Sequence, residues 1–491
     1  MSNPFHASRA ASAGASPLSF NLHLLAPALL AVALAAGACR PRDKEPPQAA
    51  RALREFTGAY PLEARPNGTV RSFDIVAEPT EVELVDGQKL RVWAYNGQVP
   101  GPQLRIRLGE TLRVRFTNRL PQETTIHWHG VRLPNAMDGV PHTTQRPVQP
   151  GETFVYEFTP KDAGTFWFHP HVRSSEQVER GLYGLLIVED TAPPPYSRDV
   201  VWVVDDWLLD ETGQVFPRFN TRHDLAHDGR WGNVLTVNGR TDTVLRVRPG
   251  ERIRLRLLNS ANGRVVMPDF SGLDAKLIAV DGLYLREPID PAGFELAPGN
   301  RIDLDITFNQ NLAAPLPIVD RFSARRPNVL AHITTEGEPV TPPAFASPAR
   351  AHVPAWSEGL HVPEHHAFRL NARRGGPFGI EWTLDDKAFA GHSAHHEPAL
   401  TLTSGRFYRL RFVNESARLH PLHLHGMFFR LLARDGTPVE EPFFRDTVLV
   451  HGNESVDIAL VPTDAGSWML HCHILEHAEA GMMTLIAVRA P

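Results

Sequence analysis

The chain has 491 residues, 42% hydrophobic and 21% charged, with a formal net charge of −5. That length exceeds one ordinary core and predicts two to four domains of a globular protein. No basic block or aromatic-studded basic patch is present, which excludes a nucleic-acid partner, and two cysteines, Cys39 and Cys472, exclude a framework of disulfides.

The first element is a largely apolar run over residues 18–38, preceded by the lone charge Arg9 and ending in Ala36-Gly37-Ala38 directly before Cys39. It resembles a bacterial lipoprotein signal over 1–39, in which Cys39 becomes the acylated first residue. An ordinary export signal or a membrane anchor is the alternative. The lipoprotein reading implies an exported, periplasmic protein anchored to the membrane through Cys39. Residues 40–68 open with a charged, Pro-containing stretch and read as a flexible tether.

From residue 69 onward, abundant Pro and Gly punctuate short runs in which apolar and polar residues alternate. That pattern predicts an all-β chain with few, short helices. One unit recurs three times. Gly109 opens a strand ending at Asn118, Gly250 one ending at Asn259, and Gly405 one ending at Asn414, with the same nine-residue step. A turn and strand follow each copy, starting at Pro150, Pro298 and His451. Three β-sandwich domains are therefore expected over 69–191, 192–345 and 346–491, separated by Pro-rich stretches at 191–195 and 338–354.

The first and third copies carry histidines at matching offsets. His127 and His129 correspond to His423 and His425, and His169 and His171 to His471 and His473. The second copy has Pro268 and Phe270 where the first pair would fall, so it carries no such site. Residues i and i+2 of a strand share a face, so each His-x-His presents two imidazoles together. Eight imidazoles suit a cluster of several ions, of Cu, Zn, Fe or Ni. The third copy adds His420, Cys472, His477 and Met482, where the first has Thr124, Pro170, Ser175 and Arg180. Two His, one Cys and a weak Met are the set of a blue-copper electron-transfer site. Cys472 points away from its two flanking histidines, which gives a covalent electron path between the two sites.

The strings HWHG, HPH, HPLHLHG and HCHILEHAEAGM resemble the motifs of three-domain multicopper oxidases of the bacterial laccase type, over about residues 69–491. The resemblance implies three tandem cupredoxin-like Greek-key β-sandwiches and about four copper ions. It makes His127 and His423 ligands of a type 2 copper. His129, His169, His171, His425, His471 and His473 become ligands of a type 3 pair. His420, Cys472 and His477 become ligands of a type 1 copper, with Met482 axial. The activity implied is one-electron oxidation of small reductants, such as phenols and aromatic amines, coupled to reduction of O₂ to water. Oxidation of Cu(I), Fe(II) or Mn(II) in metal tolerance is the alternative. Asp138 matches a family acid that supplies protons, and as Asp138-Gly139 it is equally a turn residue. Many bacterial relatives carry an acid directly after the last type 1 histidine; here that residue is Ala478, with Glu479 next. The chain also lacks the Met-rich insertion of copper-efflux members, and Ser416 and Arg418 stand shortly before His420. The cluster His392, His395 and His396, and the group His361, His365 and His366, read as solvated loops.

Overall fold

The computed structural model describes residues 47–59, 63–85, 87–309, 311–323, 325, 327–345, 358–392 and 396–491. Cys39 and the signal segment, as well as His395, lie outside them. The alternation read in the sequence becomes three two-layered sandwiches, each closed by its own pair of sheets. In the first, Val70–Val85, Gln88–Tyr95, Thr111–Asn118 and Thr153–Phe158 form one sheet. Gln103–Arg107, His127–His129, Gly164–His169 and Gly184–Glu189 form the other. The second sandwich has sheets of six and four strands between Arg198 and Thr335, and the third has sheets of six and five between His366 and Arg489. The fold is all-β and cupredoxin-like.

The strand Thr111–Asn118 shows why the pattern folds this way. Leu112, Val114 and Phe116 are fully buried, while Arg113 and Arg115 face outward and pair with Glu157 and Asp74 on neighbouring strands. The matching strand of the second copy, Arg252–Asn259, is buried on both faces. Its arginines Arg252, Arg254 and Arg256 pair with Asp305, Asp303 and Asp199, and Arg256 also donates to Thr165 of the first sandwich. A buried charge needs such a partner, so the polar face of the second sandwich is an inter-domain seam.

Each copy ends its strand on the same device. The side-chain amide of Asn118 donates to the carbonyls of Gln122 and Val148, at 2.9 and 2.8 Å. Asn259 does so to Arg264 and Leu296, and Asn414 to Arg418 and His451. All three side chains are buried, and each braces the turn that leads to the next strand. In the first and third copies that next strand carries the histidines.

One expectation is corrected. Within the stretch 40–68 read as a tether, Pro47–Ala59 is a helix. Its Ala49, Ala52 and Phe56 are buried, and Phe56 lies edge-on to Phe407 and Phe444 of the third sandwich. The spacing of those three apolar residues gives one helical stripe, which the charged composition around it obscured. Among the described residues no helix is long and apolar enough to cross a membrane.

Candidate metal centre

Strand register brings the histidines together. His127–His129 runs antiparallel to Gly164–His169 with His127 opposite His169. His420–Leu424 runs antiparallel to Gly466–Cys472 with His423 opposite His471. The eight rings meet, buried, between the first and third sandwiches, related by an approximate twofold. His127 stacks on His425 with centroids 3.8 Å apart, and its counterpart His423 stacks on His129 at 3.6 Å. The His129–His473 separation of 5.0 Å is repeated as 5.1 Å between His425 and His171. The sequence duplication is thus a near-symmetry of the site.

Hydrogen bonds decide which ring nitrogen faces inward. His127 Nδ1 donates to the carbonyl of Asp138 at 2.8 Å, and His423 Nδ1 to that of Asp446 at 2.9 Å. His169 and His471 donate from Nδ1 to the carbonyls of Pro170 and Cys472. His425 Nδ1 donates to Asp138 Oδ2 at 2.9 Å, whereas His129 uses Nε2 towards Asp446 Oδ1 at 3.2 Å. Most of the remaining nitrogens have no protein partner. His127 Nε2, His129 Nδ1, His169 Nε2, His423 Nε2 and both nitrogens of His473 are buried without a hydrogen-bond partner. The Nε2 atoms of His171 and His425 lie 3.5 and 3.1 Å from His471 Nε2. Burial first, and neighbouring imidazoles second, push the pKa values of His129, His171, His425 and His473 well below the ordinary histidine value. These rings are therefore neutral, with lone pairs available. Leaving so many buried acceptors without a donor is costly, and metal cations resolve it.

A second group lies beyond His471. Cys472 Sγ is 3.6 Å from His420 Nδ1 and 3.8 Å from His477 Nδ1, and those two nitrogens are 3.2 Å apart. The opposite nitrogens are committed: His477 Nε2 donates to the carbonyl of His227 at 2.7 Å, and His420 Nε2 faces Ser416 Oγ at 3.0 Å. Met482 is fully buried, and its carbonyl accepts from the Cys472 amide. Trp382 packs on both rings, with centroids 4.8 Å from His420 and 4.2 Å from His477. Burial raises the Cys472 thiol pKa, so a cation beside Sγ is what would favour the thiolate.

Patterns of three multicopper oxidase domains match residues 77–193, 198–324 and 364–491. The chain belongs to the multicopper oxidase family. It is 35% identical to a multi-copper oxidase of known crystal structure from Pseudomonas thermotolerans, covering 86% of this chain and 100% of that one with a TM-score of 0.75. It is 28% identical to Multicopper oxidase MmcO of Mycobacterium tuberculosis over 86% of this chain and 88% of that protein. Copper resistance protein A of Escherichia coli matches at 31% identity over 50% of this chain and 47% of its own length.

This oxidase is thus an oxidoreductase of a copper-using family, and its donors suit copper: inward imidazole lone pairs at one centre, and two imidazoles with a thiol at the other. Around them, Asp138 ends the turn Asn135–Met137 and is fully buried at the same time. Ala478 packs among Val140, Phe389 and Met469, an apolar cluster. Glu479 points elsewhere, into a cleft shared with Arg173 and Glu176, and burial pushes its pKa up to about 7. Sequence reasoning missed Asp446, Arg301 and Asp281. Asp446 is the twofold counterpart of Asp138, but it follows His423 by 23 residues where Asp138 follows His127 by 11. The hairpin Phe429–Arg434 and Thr437–Pro438 fills the difference and hides the match.

The solvated-loop expectation is corrected for His392, while His396 is part-exposed. Phe389 is buried and anchors the loop, with His396 stacked on it at 3.5 Å. His392 lies edge-on to His171 at 5.4 Å, and its buried Nδ1 has no partner. His361 and His365 are exposed, and His366 pairs with Asp385 at 2.7 Å.

Proposed function

We propose that the protein oxidises small aromatic reductants, phenols and aromatic amines, by single electrons and passes four of them to O₂, forming water. His420, Cys472 and His477, with the buried Met482 beside them, would hold a type 1 copper. His127 and His423 would hold a type 2 copper, and the other six histidines a type 3 pair. Bound copper supplies the one-electron redox chemistry and the O₂ reactivity. The observation that carries the reading is the position of Cys472. Its Sγ stands among the type 1 donors, while its carbonyl accepts from His471 Nδ1 at 2.8 Å and His471 Nε2 faces His425. The two centres are thereby joined through one residue and its neighbour.

The chain's own residues do the rest. The carbonyls of Asp138, Asp446, Pro170 and Cys472 fix the imidazole tautomers. Asp138, with Oδ2 at His425, is the carboxylate placed to move protons at the cluster. Beside the helix Leu475–Glu479, a cleft lined by Phe219, Phe378, Arg218 and Glu479 suits an aromatic substrate with polar substituents. Export through the signal segment and acylation of Cys39 belong to the same proposal.

A metal-ion reductant is the second reading. The exposed rings of His223 and His227 lie 4.3 Å apart on the segment whose His227 carbonyl accepts from His477. Metal analysis with an absorption spectrum tests the core claim. About four coppers per chain and an intense blue thiolate band are expected from this donor set, and Cys472→Ser should abolish both the band and oxidase turnover. An active Cys472→Ser protein would refute the path. Turnover of a phenol against that of Cu(I) separates the two substrate readings, and membrane association lost in Cys39→Ser tests the anchor.

A further inference from the structure

The second sandwich contributes none of the eight clustered histidines, yet it reaches the cluster. Arg301, fully buried, follows Gly299 in the turn that matches Gly151 of the first copy. Its guanidinium touches all three sandwiches. Nε donates to the carbonyl of Thr165 at 3.1 Å, and Nη1 and Nη2 donate to Gly299 and Asp281 carbonyls at 3.0 and 2.8 Å. The same two nitrogens grip the carboxylate of Asp446 as a fork, Nη1 to Oδ1 at 3.0 Å and Nη2 to Oδ2 at 2.7 Å. Asp281, also from the second sandwich, accepts from the backbone amides of Asp446 and Thr447 at 3.1 and 3.2 Å. Side chain and main chain of Asp446 are therefore both held by the second sandwich.

The clamp has room made for it. Gly130, directly after His129, has φ +80°, and a Cβ there would collide with Arg301 Nη2 and Asp446 Oδ2. Gly299 has φ +88°, and its Cβ would stand 2.9 Å from His129 and 3.0 Å from His473. The near-twofold of the histidines is broken at this point. Asp138 and Asp446 occupy equivalent places, each giving its carbonyl to one histidine and its carboxylate to another. Among the described residues no arginine or lysine pairs with Asp138, whereas Asp446 is locked to Arg301.

We infer that Arg301 is a positioning residue that fixes Asp446, and through it His129 and His423, so that the cluster retains its type 2 copper. A bidentate arginine fork sets both distance and plane of a carboxylate, which a lysine cannot do. The second sandwich thus keeps a part in the site through its Gly299-Asn300-Arg301 turn. The inference rests on the proposed copper assignment.

The test compares wild type, Arg301→Lys, Asp446→Asn and the charge-neutral double variant Arg301→Met with Asp446→Asn, each loaded with copper and dialysed against graded chelator. The blue band reports type 1 copper and the EPR signal reports type 2. The variants are expected to keep the blue band and lose the type 2 signal at about 10- to 100-fold weaker chelation, the usual effect of removing an outer partner of a metal-bound histidine. Should Arg301→Lys fail to fold, the double variant removes both charges of the Arg301–Asp446 fork, leaves Asp281 its bonds from Asn300 and the backbone amides, and gives the same reading. Type 2 affinity within twofold of wild type in the folded variants would overturn the inference. Equal loss of the blue band and the type 2 signal would do so as well, since it would show a purely structural role. A wild-type protein that binds no type 2 copper would instead overturn the assignment beneath it.

Discussion

Ser416 holds the outer nitrogen of His420, one of the proposed type 1 ligands, and removing its hydroxyl should shift the site's potential in a known direction. Ser416 Oγ donates to Asn414 Oδ1 at 2.8 Å, so it accepts from His420 Nε2 at 3.0 Å. An acceptor on the far N–H makes an imidazole a stronger donor, which favours the oxidised metal. A neutral hydrogen bond of this kind contributes about 0.5–1.5 kcal/mol. If that preference belongs wholly to the oxidised state, Ser416→Ala should raise the one-electron potential by about 20–65 mV, at about 59 mV per tenfold change in equilibrium constant. A redox titration followed at the blue band measures this, and Ser416→Thr should restore the original value. An unchanged or lowered potential in a variant with an undiminished blue band would refute the reasoning.

Other consequences are equally open to measurement. Asp138→Asn should leave the anaerobic rate of type 1 reduction unchanged but slow O₂ consumption by about 10²–10⁴-fold, the range for a lost general acid; an unaffected steady-state rate would remove Asp138 from proton delivery. Phe56→Ala should cost about 3–5 kcal/mol locally, freeing Pro47–Ala59 to proteolysis while the blue band persists. His451 Nε2 donates to Glu295 at 2.8 Å, and that bond raises the His451 pKa. A raised folded pKa stabilises below the unfolded value, about 6.5, and the contribution fades as pH rises through the folded one. Glu295→Gln should therefore lower Tm slightly at pH 6 and not at pH 9, the pair being partly exposed; an equal loss at both would mean the pair does not titrate.

The sequence by itself determined the repeat, the all-β class and the histidine framework. Strand periodicity puts i and i+2 on one face, so His127 with His129 and His423 with His425 were legible as paired donors, and Cys472 as the residue between. Local rules of that kind need no knowledge of distant chain. Only the tertiary structure decided which nitrogen each imidazole turns inward, because that depends on carbonyls and carboxylates brought from elsewhere: Asp446 to His129, Asp138 to His425, His227 to His477. It also decided that Pro47–Ala59 packs as a helix, since Phe56 is held by Phe407 and Phe444, more than 350 residues further along the chain. The role of the second sandwich was hidden for the same reason. Its missing histidines are visible in the string, but the grip of Arg301 on Asp446 is a contact across domains, which no spacing within the sequence encodes.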